Sequence, residues 1–154
     1  MTAECQSPIP DARKSGGMIQ RYARSGRRGM TTLTFTIPAE LWLSANQRLH
    51  WAPKSKRTAW LRKLGYLTAR DEKLEDVGTA HVAAFIGYPR NGKADPANAA
   101  PTIKALIDGL VDAGVWPDDD HTHVIGPTCL RDPKSGDGAY RVRLVLTLQE
   151  VPWT

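Results

Sequence analysis

Only two cysteines, Cys5 and Cys129, occur in the 154 residues. They have neither the spacing of metal ligands nor the density of a disulfide scaffold. A thiolate metal cage and a disulfide-stapled fold are thereby excluded, and a reducing compartment is expected. No apolar run approaches the roughly 20 residues that span a bilayer, and the N-terminus lacks the apolar middle region of a secretory signal. The chain is therefore expected to act in the cytoplasm, without a membrane partner. Also missing are a phosphate-binding P-loop, a dinucleotide glycine fingerprint and any recognisable Ser/His/Asp or Cys/His nucleophile arrangement. Internal repeats are absent as well, and carboxylates are left as the strongest chemical lead.

An acidic balance is lacking too, since the formal charge is +5. Six of the basic residues (Arg13, Lys14, Arg21, Arg24, Arg27 and Arg28) lie in residues 1–30 against only Glu4 and Asp11. Residues 31–154 thus carry 15 basic and 14 acidic groups, and the high isoelectric point describes a basic tail more than a basic fold. Residues 1–30, rich in Gly, Ser and Arg without an apolar period, are expected to form a disordered tail. That tail reads as a solvated extension, as residues upstream of a true start at Met30, or as a non-specific phosphate contact. With 41% apolar residues over the whole chain, residues 31–154 are enough to bury the core of one domain.

Within that domain Leu33, Phe35 and Ile37 alternate with threonines up to Pro38, the period of a half-buried strand. A polar loop is expected over 44–56. A helix comes next over 57–73, where Trp60, Leu61, Leu64 and Leu67 recur at helical spacing. Residues 79–88, rich in Val, Ala, Phe and Ile and stopped by Pro89, read as a second strand buried on both faces. A loop over 90–98 leads to a second helix over 102–113. Its apolar stripe is Ile103, Leu106, Ile107 and Leu110, with Pro101 at its start and Gly114 as its stop. Residues 124–130 read as a short strand, 132–138 as a hairpin turn, and Tyr140, Val142, Leu144, Leu146 and Leu148 as a final strand. The order β-α-β-α-β-β predicts an α/β (α+β) fold, a single mixed sheet of about four strands with two main helices packed on it.

Charge is concentrated around the second helix. Asp95 precedes it, Lys104 lies one turn inside it, Asp108 and Asp112 follow Lys104 at i+4 and i+8, and Asp118, Asp119 and Asp120 form the loop after it. Lys104, Asp108 and Asp112 share one helix face. For the two aspartates, a solvated face with an i,i+4 pair is the simpler reading. A lysine so placed could hold a phosphate or stabilise developing charge. Hard cations such as Mg²⁺ bind a few carboxylate oxygens and keep several waters, and in nucleases such an ion can orient water and polarise a phosphodiester. Asp95 and Asp119 are the candidate ligands. His121 and His123 would face the same way only if they lay in a strand, where they could ligate a transition metal. Polar loop histidines or a DNA contact are the other readings.

The run from Asp95 to Val124, reading Asp-Pro-x-Asn, Pro-Thr-x-Lys, Asp-Gly-Leu, Asp-Ala-Gly and Asp-Asp, resembles the RusA-like Holliday junction resolvases, in particular their phage and actinobacterial versions. Ser44, Asn46, Arg48, His50 and Trp51 are similar to the family's early loop after the first strand, so the resemblance covers approximately residues 31–150. It implies a Mg²⁺-dependent endonuclease, with Mn²⁺ able to substitute, that resolves four-way DNA junctions by paired phosphodiester hydrolysis in a bacterial cytoplasm or phage-infected cell. Residue by residue it implies Asp95 and Asp119 as catalytic metal ligands, Asp118 as an assisting acid, Lys104 as the essential lysine and Asn98 as a supporting polar group. Branched DNA and a second copy of the chain are the implied partners, since two symmetric cuts require two sites related by a two-fold axis. Arg48, Lys54, Lys56, Arg57, Arg90 and Lys93 are the expected phosphate contacts, with Asn46 and His50 beside them. The sequence departs from the family at Ala97, where a second aspartate usually stands, and by three additional residues between Asn98 and Lys104. Asp118, Asp120, Asp108 or water would then complete the metal shell. The alternative is an inactive junction-binding protein of the same fold.

Overall fold

A computed structural model describes residues 29–150. Apart from Gly29 and Met30, the expected N-terminal tail lies outside the described residues. The elements are β1 (Met30–Ile37), a 3-10 turn (Ala39–Leu41), α1 (Trp51–Asp71), β2 (Ala80–Gly87), a second 3-10 turn (Pro96–Ala99), α2 (Ala100–Asp112), β3 (Val124–Arg131) and β4 (Tyr140–Leu148). They form one mixed four-stranded sheet and two main helices, as the sequence predicts.

The sheet order is β1-β4-β2-β3. β4 runs antiparallel to both neighbours, and β2 pairs with β3 in parallel. Leu33, Phe35 and Ile37 of β1, Val82, Ala84 and Ile86 of β2, and Val142, Leu144 and Leu146 of β4 point into one buried cluster with the apolar sides of both helices. Strand alternation thus buries one sheet face under the helices. β2 departs from the expectation of burial on both faces. His81, Ala83 and Phe85 on its other face are only partly buried, because both helices lie on one side.

Two further expectations are corrected. Helix α1 begins at Trp51, so Lys54 and Lys56, expected in the loop, occupy its first two turns together with Arg57. Pro53 is compatible with this because the first turn has no intrahelical acceptor for its missing N–H, and the His50 side chain caps the end by accepting from the Ala52 N–H at 3.4 Å. The segment expected as a β3–β4 hairpin is instead a crossover, since β2 separates those strands. It is pinned to the end of β2 by the Asp132 N–H donating to the Ile86 carbonyl at 2.9 Å and the Ser135 N–H to the Tyr88 carbonyl at 3.0 Å.

Helix α2 follows its pattern closely. Ile103, Leu106, Ile107 and Leu110 are buried, and Gly114 turns the chain out of the helix at φ +87°, a conformation that glycine adopts without Cβ strain. Thr102 ties the helix start to the strand-to-helix connection. Its fully buried hydroxyl accepts from the Leu43 N–H at 3.0 Å and donates to the Leu43 carbonyl at 2.8 Å. Thr102→Val keeps the shape but strands both backbone groups without partners, and unsatisfied buried groups cost roughly 1–3 kcal/mol each. Urea unfolding should show the variant destabilised by about 2–4 kcal/mol with an unchanged m-value.

Candidate active site

The site residues fall into two clusters joined by the start of α2. In the first, Asp95 caps the 3-10 turn before α2, its Oδ1 accepting from the Ala97 N–H at 3.0 Å. The Asn98 N–H donates to the Asp95 carbonyl at 3.1 Å, and the Asn98 carbonyl accepts from the Ala45 N–H at 2.8 Å. This last bond fastens the loop that carries Asn46, Arg48 and His50 to the Asp95 turn. Asn46, Lys93, Asp95 and Asn98 consequently line one cleft of about 280 Å³. Trp42, Tyr88 and Tyr140 line the same cleft. Trp42 and Tyr140 stack at 4.0 Å between centroids, and Tyr88 meets Tyr140 edge-on at 5.9 Å. Burial pushes the Tyr88 hydroxyl above its ordinary pKa. The three rings went unassigned in the sequence because each reads as an ordinary strand or core residue.

The second cluster surrounds Lys104. Its ammonium donates to Asp108 Oδ1 at 2.7 Å and to Asp119 Oδ2. The acidic loop is anchored by buried Trp116, whose indole N–H donates to the Gly78 carbonyl at 2.7 Å. Within the loop the Asp119 N–H donates to Asp118 Oδ1 at 2.7 Å. The bonds to Asp108 and Asp119 raise the lysine pKa, and the bond from Lys104 lowers that of Asp119. Ion pair and protonation states therefore coincide near neutral pH: a cation flanked by two anions on an accessible surface.

Other charged residues are used structurally. Asp120 organises its own turn, accepting from the Thr122 N–H at 2.8 Å and from the Thr122 hydroxyl, which with His123 lower its pKa to about 2. His121 and His123 sit in that turn, before β3 begins at Val124, so the strand alternation that would aim them at one metal does not apply. Asp112 stays solvent-accessible, but its partner lies on the other helix and not on its own. Arg62 of α1 grips both its oxygens, with Nη2 to Oδ1 at 2.7 Å. Arg57 Nη1 donates to the Trp42 carbonyl at 3.0 Å, so its guanidinium is partly spent inside the fold. Arg48, Lys54, Lys56, Arg90 and Lys93 remain exposed or partly exposed around the cleft and the start of α1.

Among the described residues no three His, Cys, Asp or Glu side chains gather into a set that could hold a metal ion. The expected trio Asp95, Asp118 and Asp119 is therefore not assembled into one cage. Adjacent Asp118 and Asp119 still offer hard oxygen donors, and one or two carboxylates suffice for Mg²⁺, which keeps several waters.

The Arg62–Asp112 clamp makes a pH prediction. Arg62 holds the Asp112 pKa below its ordinary 3.8, so the folded state binds this proton less readily than the unfolded chain. The stabilisation is present above that ordinary value and is lost as pH falls through the folded value. Thermal melts from pH 6 down to pH 2.5 should lose stability on the acid side, and Asp112→Asn should flatten that fall. An identical acid profile for the variant would mean that the clamp contributes nothing to acid stability.

No protein-family model matches this chain, and no curated protein aligns with it at a significant score.

Proposed function

We propose that the chain is a Mg²⁺-dependent, structure-selective endonuclease that resolves four-way DNA junctions, acting as a homodimer. The observation that carries this reading is the bonding of Lys104 to Asp119 and Asp108 on an accessible face. The lysine and the acid that the sequence resemblance pairs as catalytic partners meet here although 15 residues separate them.

Lys104 is the group that grips the scissile phosphate. Its ammonium would exchange a carboxylate oxygen for a non-bridging phosphate oxygen and hold it while negative charge develops there. Asp108 and Asp119 keep the ammonium protonated and limit where it can swing. Asp119 and Asp118 would hold the divalent ion, with Asp95 facing the substrate from the cleft. The ion's contribution would be to polarise the phosphodiester and lower the pKa of a water. Asn98 holds the Asn46 loop against the cleft through its backbone. Arg48, Lys54, Lys56, Arg90 and Lys93 are placed to contact phosphates flanking the cut.

A second reading, a junction-binding protein without cleavage, draws on the missing third donor. Ala97 stands where the resembled family usually carries a second aspartate, and no three donors gather among the described residues. Ala97→Asp separates the two readings. If it converts a binder into a nuclease, the second reading holds. The proposed function itself is tested by offering the protein a labelled four-way junction and a linear duplex of the same sequence. The junction should be bound preferentially, by two copies of the chain. Equal affinity for both, or binding by one copy, would count against it.

A further inference from the structure

Four tryptophans fall among the described residues. Trp42, Trp60 and Trp116 are buried, at 4%, 6% and 1% exposure, whereas Trp51 is 74% exposed. A single exposed apolar side chain needs no special explanation, so the setting of Trp51 decides its meaning. Residues 44–70 contain seven basic side chains and no acidic one. Arg48, Lys54 and Lys56, which bracket the tryptophan, are exposed and form no ion pair with a carboxylate among the described residues. Lys54 follows Trp51 at i+3 on α1, so ring and ammonium share one helix face. The neighbouring His50 ring lies 5.7 Å from the indole at a 41° tilt. His50 Nδ1 accepts from the Ala52 N–H at 3.4 Å, which places that ring at the helix start beside the indole.

An exposed indole within a cationic stretch of chain that contains no acid has the composition of a single-strand contact. Cations track phosphates while an aromatic face takes a base. The loop that ends at Trp51 also carries Asn46 into the Asp95 cleft and is fastened there through the Ala45–Asn98 bond. The indole therefore stands one short loop away from the candidate active site.

We propose that Trp51 is a stacking platform for an unpaired base at the branch point of the DNA, with Lys54, Lys56 and Arg48 holding the flanking phosphates. This rests on the nucleic-acid reading above and adds the element of the substrate that is recognised. A base in continuous duplex offers no free face to the indole, whereas an opened branch or a single strand does. Stacking of this kind thus favours branched over linear DNA without reading sequence.

The test measures binding of full-length wild type, Trp51→Ala, Trp51→Phe and Lys54→Ala by fluorescence anisotropy. The probes are an oligo-dT strand, a four-way junction and a linear duplex, at matched salt concentrations. Trp51→Ala should weaken the single strand and the junction by about 5- to 100-fold, the range of one stacked base, and leave the duplex within about twofold. Trp51→Phe should recover most of the loss. Lys54→Ala should weaken all three probes to a similar extent and reduce the salt dependence. Unchanged junction and single-strand affinity in a folded Trp51→Ala variant overturns the proposal while leaving the nuclease reading intact. An equal loss on all three probes overturns it too, and so does conversion of a dimer to a monomer by Trp51→Ala, which would make the indole a self-association contact. A wild type that binds none of the probes removes both readings together.

Discussion

Gly109→Val is expected to abolish cooperative folding, and Gly109→Ala to cost more than about 3 kcal/mol, beyond the usual range for an overpacked core. At Gly109 an added Cβ would stand 2.0 Å from the Arg62 carbonyl oxygen and 2.8 Å from the Tyr66 nitrogen. Across the same crossing, a Cβ at Gly65 would stand 2.4 Å from the Leu106 carbonyl oxygen. The obstacles are backbone atoms and cannot swing aside, so α1 and α2 would have to separate and open the core over Leu61 and Leu106. Helix propensity acts the other way, since alanine is favoured over glycine by roughly 1 kcal/mol in a helix interior. The steric term is the larger, and a domain of this size has only about 5–15 kcal/mol of net stability to absorb it. Circular dichroism melts decide the point. A Gly109→Ala protein melting within a few degrees of wild type would mean that the helices do not cross this closely.

Asp119→Asn should reduce Mg²⁺-dependent junction cleavage by at least about 100-fold while the junction dissociation constant stays within a few-fold. The amide keeps the size but loses the charge that would hold a hard cation and that faces Lys104. Lys104→Ala should lose about 10²–10³-fold, the effect of removing one preorganised charge from a developing oxyanion. Extra Mg²⁺ should not rescue it, because the lysine is not a metal ligand. Single-turnover cleavage and equilibrium binding on one junction separate these effects. Parallel losses in rate and affinity would place both residues in substrate binding instead of catalysis.

Local patterns made much of the molecule legible. The alternation Val142, Leu144, Leu146 marks a strand with one buried face, and Ile103, Leu106, Ile107 and Leu110 with Pro101 and Gly114 mark α2 nearly to its ends. The Lys104–Asp108 pair follows from spacing on a helix. What was not legible depended on partners distant in the chain. Pro133, Gly136 and Gly138 signal a reversal but do not say that β4 passes β3 to pair with β2 and β1. Pro53 and Ser55 read as loop residues, while capping by His50 makes them part of the start of α1. Asp112 shares a helix face with Lys104 two turns away, too far to pair with it, and its partner is Arg62, which the glycine crossing brings alongside on α1. The meeting of Lys104 with Asp119, likewise, needs the turn at Gly114 and the anchoring of Trp116.

That this acid–lysine cluster cuts branched DNA is tested most directly by strand mapping on an immobile four-way junction. Wild-type protein in excess is incubated with junction labelled on each strand in turn, with Mg²⁺ or with a chelator. Paired nicks are predicted at symmetry-related positions on two opposing strands, in Mg²⁺ alone, with a linear duplex of the same sequence left intact. A junction that is bound yet uncut in Mg²⁺ and Mn²⁺, or a duplex cut as fast as the junction, would contradict the claim.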